Sequence, residues 1–543
     1  MTSVRKMSSN LAVTVGDQPY WKLAAELVPI IGSEFDRTLS PQSLHLIRNV
    51  DMATFAVERS RFQAWAYVMG FAEMYGSGKS LNTLLCGRSG HKTFDILDQL
   101  RRTFAFQRSQ VNTPDAGEFQ AFTEKISRLL RDLEEVLPEN DQKTMAQVLS
   151  TRLLEPEDVY KLETLLSSSF IHENPNLEAT AAMKRIRILS KKSESIRQGR
   201  DKLLIAMENL TMENEQYRRT KISIGSFMEG QSASQMPIPI LIEWKKYEGL
   251  WDTDIGNLLF RRTEMLTSFL RTASNGSELL DLRILKCLGY CHDERHTRLG
   301  FVFVNPSSSV EYPASYFSLN QCLESQKNGP PLLGDRFRLA KLLSAAIFEF
   351  HKASWVHKSF SSHNIMFFPD LASSEDDPET PPSTSASTSK ISILAPYIVG
   401  FNHSRLDQPN QFSEPANLGL ELQRYRHPEY KNRPMQYFHR AFDYYSLGIV
   451  LLEIGLWYPL SLMLKRHKEL SADEFTAELL KSFCPMLGSC MGSIYQDVVV
   501  DLLTHDWGRG QEELTVEGEA EARAAQLMNF HTRVLAQLER CCA

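Results

Sequence analysis

The chain has 543 residues, 42% of them hydrophobic and 23% charged, with a net charge of −6. That length suits two or more folded domains, and the apolar share is that of an ordinary globular chain. The slight acidity excludes a global field that would gather nucleic acid or anionic membranes.

Residues 1–215 read as helical. Phe62, Trp65, Ala66 and Met69 form one apolar stripe, and Phe122, Ile126, Leu129, Leu133 and Leu137 form another with charges opposite. Short Pro- and Gly-containing connectors separate these stretches, which predicts an α-helical bundle. Near 220 the texture changes. The stretches ILIEWKKY, LKCLGYCH and LGFVFVNP are predicted strands, and RFRLAKLLSAAIFEFHKASW from 336 is a predicted amphipathic helix. The segment 370–390, DLASSEDDPETPPSTSASTSK, is acidic and rich in Ser, Thr and Pro. It is predicted to be a disordered insert, because it cannot bury a core. ISILAPYIVGF resumes strand character, and helices dominate from 418.

Several motifs carry less than they promise. YGSGKS (75–80) lacks the first glycine of a phosphate-binding loop, since position 73 is Glu. Cys287, Cys291, His292 and His296 are close in sequence but lack paired C-x-x-C arms, so no metal site is expected. The basic run 183–202 holds eight Lys or Arg against two acids. It reads as the solvated face of a helix, with an anionic partner as the alternative. The eight cysteines follow no framework spacing, which points to reduced thiols and a cytoplasmic setting. No secretory leader pattern opens the sequence, and the terminal CCA is no prenylation box. The longest apolar run, LGIVLLEIGLW (447–457), is short and holds Glu453, so no transmembrane segment is expected.

At 356–368 the chain reads VHKSFSSHNIMFF, the spacing of the kinase catalytic loop H-R-D-L-x-x-x-N. YIVGFNHSR (397–405), YRHPEY (425–430) and FDYYSLGIVLLEIGLW (442–457) follow in order, where a kinase has its D-F-G segment, its A-P-E segment and the long helix beyond. Residues 220–535 therefore resemble a protein kinase domain. More narrowly, they resemble the divergent kinase-like domains of fungal proteins that carry a HeLo or HeLo-like helical domain in front. VERSRFQAWAYVMGF and FDILDQLRRTF, in the first 215 residues, resemble that HeLo family.

The resemblance implies an α+β multidomain chain: an N-terminal α-helical bundle, then a two-lobed kinase-like fold with lobes at about 220–305 and 306–535. It also implies what is missing. Ser359 stands where the catalytic Asp belongs, facing the cleft between the lobes, and Gly400 where the metal-binding Asp belongs. Phe401 is kept, Asn402 replaces a glycine, and only Gly225 and Gly230 stand for the glycine-rich loop. Lys245, or else Lys246, is the strand lysine, Glu264 its helix partner, and Asn364 the second metal contact. ATP is the cofactor these three residues could hold, while Mg²⁺ loses its carboxylate ligand. His357, Arg426, Pro428, Glu429, Asp443 and Gly448 match positions that organise the larger lobe, with Asp443 expected to cap its helix and tie down the backbone at His357.

The function this implies is that of a pseudokinase-type signalling or scaffolding protein of a filamentous fungus, engaging protein partners through its helical domain, with a homo-oligomer as a separate expectation. An atypical active kinase is one alternative. A fungal incompatibility or cell-death effector is another, although the N-terminus lacks the apolar helix of a pore-former.

Overall fold

The computed structural model describes residues 14–15, 18–39, 49–71, 88–109, 116–154, 159–166 and, with a few positions excepted, 168–185. It continues with 203–212, 221–228, 236–247, 254–275, 282–306, 316–325, 329–369, 392–407, 420–432, 438–463, 470–507 and 516–543. The expected insert at 370–390, the YGSGKS stretch, Gly230 and most of the basic run lie outside the described residues. The chain forms two compact units. One comprises 1–182 with 516–528, the other 183–515 with 529–543.

The first unit is helical. Its main helices are α1 (Tyr20–Thr38), α2 (Asn49–Val68), α3 (Arg88–Ser109), α4 (Ala116–Val136) and α5 (Glu139–Leu154). The predicted stripes are buried: Phe62, Trp65 and Met69 on and just beyond α2 meet Phe122, Ile126, Leu129 and Leu133 of α4 in one core. Phe35 lies 4.9 Å from Phe104 and 5.3 Å from Phe55, ring centre to ring centre. Such pairs add about 0.5–1.5 kcal/mol beyond their buried area. One ion network crosses this core. Arg61 bridges Glu58 at 3.0 Å and Glu134 at 2.7 Å, and Ser127 donates to Glu58 at 2.6 Å. Burial raises the Glu58 carboxyl above its ordinary range despite those partners.

The second unit opens with a five-stranded antiparallel sheet. Its strands are β1 (Leu210–Met212), β2 (Ile222–Phe227), β3 (Ile238–Lys246), β4 (Cys287–Asp293) and β5 (Arg298–Val304), in the order β1-β2-β3-β5-β4. The sheet thus begins before the expected boundary at 215–220, because Leu210–Met212 pairs with Gly225–Phe227. Helix α6 (Asp254–Asn275) follows β3 and packs on β4. Ile240, Ile242 and Trp244 project to one face with Leu210, Phe227, Cys291 and Val302. The Arg298 guanidinium lies 3.8 Å from the Trp244 ring centre.

Helices α7 (Leu333–Lys352), α8 (Arg440–Leu456) and α9 (Ser493–Thr504) are the longest of those described in the rest of this unit. Short strands hold the loop between α7 and α8. Trp355–Val356 pairs with Arg405–Leu406, and Ile365–Phe367 pairs with Tyr397–Ile398. Helix α8 is buried almost along its whole length, as its apolar sequence requires. Among the described residues no helix is long and apolar enough to cross a membrane.

Candidate functional site

The two-residue period of β3 sends Leu241, Glu243 and Lys245 to the face opposite Trp244. Lys245 is 8% exposed whereas Lys246 is exposed, so Lys245 is the interior lysine of the pair. Glu243 is only 2% exposed. A carboxylate can be held there only if donors meet it, and they come from a segment far along the chain. The Gly400 N–H donates to Glu243 Oε2 at 2.9 Å and the Asn402 N–H to Oε1 at 3.0 Å. The Phe401 N–H also favours the anion. Burial outweighs these bonds and raises the Glu243 carboxyl above its ordinary range. The sheet is thereby tied to 400–402 through one side chain.

Gly400 makes this approach feasible. Its φ is +92°, and a Cβ there would lie 2.4 Å from Asn364 Nδ2, a contact no real side chain makes. The Asn364 amide is itself fixed, donating to the Ser359 carbonyl at 2.7 Å. Phe401, next in the chain, is buried against His357 at 5.1 Å and Phe350 at 5.9 Å between ring centres. His357 bonds the Val399 carbonyl through Nε2 at 3.1 Å and accepts the Ser359 N–H at Nδ1. Burial pushes its imidazole down to about 4, so it is neutral near pH 7.

Asp443 anchors the loop from below. It is fully buried in the first turn of α8, accepting the His357 N–H at 2.7 Å and the Lys358 N–H at 2.9 Å, with His351 Nε2 at 3.1 Å. The expected tie to the His357 backbone is present. The expected helix cap is not: His439 occupies that position and accepts the Ala441 N–H.

The other expected residues divide. Glu264 lies on α6, buried, and accepts from Tyr290 Oη at 3.4 Å. The positive charge of Lys245 is felt at Lys358 and His403. Ser359 was expected at a solvated cleft but is 8% exposed. Gly225, expected in a loop over phosphates, lies within β2, where a Cβ would sit 2.1 Å from the Thr211 carbonyl oxygen. Its glycine serves strand pairing.

These residues do not fit a magnesium ion. The Asn364 amide is engaged with Ser359, Gly400 has neither a carboxylate nor room for one, and the Glu243 oxygens are occupied by backbone N–H groups. Among the described residues no group of three or more His, Cys, Asp or Glu side chains could hold a metal. Sequence reasoning missed Glu243, the residue that joins the two sides. Its signal was an acid within the apolar strand run IPILIEW, which must find donors if the strand is buried. No protein-family model matches this chain, and no curated protein matches its sequence.

Proposed function

We propose that the chain is a pseudokinase-type signalling or scaffolding protein, in which a helical unit accompanies a kinase-like fold that does not transfer phosphoryl groups. The sheet order β1-β2-β3-β5-β4, with a helix between its third and fourth strands, supports the kinase-like reading. So does the Asp443 network beneath His357. The observation that carries the absence of transfer is the Glu243 tether. The Glu243 carboxyl occupies the N–H donors of Gly400 and Asn402, where a kinase would present its metal-binding acid. Ser359 supplies no general base, since a hydroxyl is not one near neutral pH. The connection between β1 and β2 reads ENEQYRRT at 213–220, without a glycine that would let backbone close over phosphates. The helical unit is then the part that engages a protein partner.

A thermal-shift titration with ATP, with and without Mg²⁺, tests this reading. A ligand at 100 times its dissociation constant stabilises the folded state by about 2.7 kcal/mol. The expected result is no Mg²⁺-dependent rise in melting temperature at millimolar ATP. A saturable rise that vanishes in Lys245→Ala overturns it.

A further inference from the structure

Helix α8 carries a second carboxyl into the interior. Glu453, toward its C-terminal end, is fully buried. It accepts the Tyr425 hydroxyl at 2.9 Å on one oxygen and 3.0 Å on the other, and the Leu460 N–H at 2.8 Å. Among the described residues no Lys, Arg or His is bonded to it. The charge it feels, Glu324 on the helix Leu319–Ser325, has its own sign. Arg336 of α7 and Tyr495 of α9 reach α8 but bond the Gly455 and Leu451 carbonyls. His363 and Glu421 face Tyr425, and Lys221 is felt at His363.

The Tyr425 hydroxyl also lies 2.8 Å from Ser362 Oγ, and either atom can be the donor. The cluster therefore has two complete hydrogen-bond arrangements. With the carboxyl protonated, its O–H donates to Tyr425 and Tyr425 donates to Ser362. With the carboxyl ionised, Ser362 donates to Tyr425 and Tyr425 donates to the carboxylate. Only the second arrangement buries a charge with no opposite charge beside it. Burial accordingly raises the Glu453 carboxyl to about 7, despite the Leu460, Tyr425 and Ser362 bonds.

Tyr425 is also what fastens its own segment. The Arg424, Tyr425 and Arg426 N–H groups are held by bonds of 3.3 Å within their own turn, longer than the usual range of about 2.7–3.2 Å. The ties to α8 run through Tyr425: its hydroxyl reaches Glu453, and its carbonyl accepts from Ser446 Oγ at 2.7 Å.

We propose that Glu453 is a proton-operated latch, which when protonated holds residues 421–426 on α8 through Tyr425 and when ionised loosens them. Loosening admits water to the carboxylate, so ionisation and opening favour each other by linkage. The sign follows from the raised value: the closed segment is favoured below about 7 and loses ground as pH rises through it. The inference rests on this cluster alone and holds whether or not the fold transfers phosphoryl groups.

The test is amide hydrogen exchange of the full chain at pH 6 and pH 8, each rate divided by the unstructured-chain rate at that pH. The amides of 421–426 should open more readily than those of 444–450 on α8, by a route short of full unfolding. With the opened carboxyl at its ordinary 4.5 and the closed one at about 7, that opening should increase about tenfold between the two pH values. In Glu453→Gln, which cannot ionise, the increase should disappear. Should the variant fail to fold, the parent decides by itself. Opening of 421–426 that is the same at both pH values, that is no easier than opening of α8, or whose increase persists in Glu453→Gln overturns the proposal.

Discussion

Replacing Glu243 with Gln removes one accepting oxygen of the tether and little of its bulk. The carboxyl accepts the Gly400 and Asn402 N–H groups at 2.9 and 3.0 Å, and the Phe401 N–H also acts on it, favouring its anion. The amide offers one accepting oxygen, and its NH₂ meets other donors head on. At least one buried N–H is left unsatisfied, at about 1–3 kcal/mol. The cost is about 2 kcal/mol against the closed segment, or a roughly 30-fold larger opening equilibrium. Amide hydrogen exchange reads that opening locally and needs no two-state unfolding of a two-unit chain. The amides of 400–402 should be protected in the parent and exchange faster by about that factor in Glu243→Gln. Unchanged exchange in the variant, or unprotected amides in the parent, would refute the tether.

Asp443→Ala should cost about 3–5 kcal/mol, the range for breaking a fully buried charge network, and lower the calorimetric transition of the second unit by several degrees. Ser359→Asp, beside Lys358 and Arg426, should leave that transition at or above the parent value, and the reverse ranking would remove Asp443 from the loop's foundation. Gly400→Asp meets both a φ of +92° and the Asn364 amide. It should destabilise by about 3 kcal/mol, from left-handed strain plus overpacking, and a variant as stable as the parent would contradict the crowding. Burial raises the Glu453 carboxyl to about 7 from 4.5. A raised folded value means its contribution is complete below the unfolded value and is lost as pH rises through about 7. Between about pH 5 and pH 8 the parent should therefore lose about 3 kcal/mol that Glu453→Gln keeps. Parallel denaturation curves at the two pH values would exclude that titration.

Much of the scaffold was legible. The stripe from Phe122 to Leu133 repeats with the helical period and lies in the first unit's core, because periodicity reports burial directly. Asp443 was legible from its place in an ordered set of motifs, although its bonds reach back 86 and 85 positions to the His357 and Lys358 N–H groups. Four features were not legible, each for a physical reason. The three-residue strand Leu210–Met212 is too short to show alternation and is defined by its partner β2. Lys245 and Lys246 are adjacent, so only the strand's facing decides between them. Glu243 is joined to residues more than 150 positions away, and no local pattern encodes such a contact. Ser359 looked solvated because motif spacing says nothing about how deeply a loop is packed, and the residue is only 8% exposed.

The central claim is that this fold does not transfer phosphoryl groups. Purified full chain incubated with radiolabelled ATP and Mg²⁺, alone and with a generic protein substrate, measures it directly. The account predicts incorporation no higher than in Lys245→Ala. Robust Mg²⁺-dependent incorporation that disappears in Lys245→Ala would contradict it.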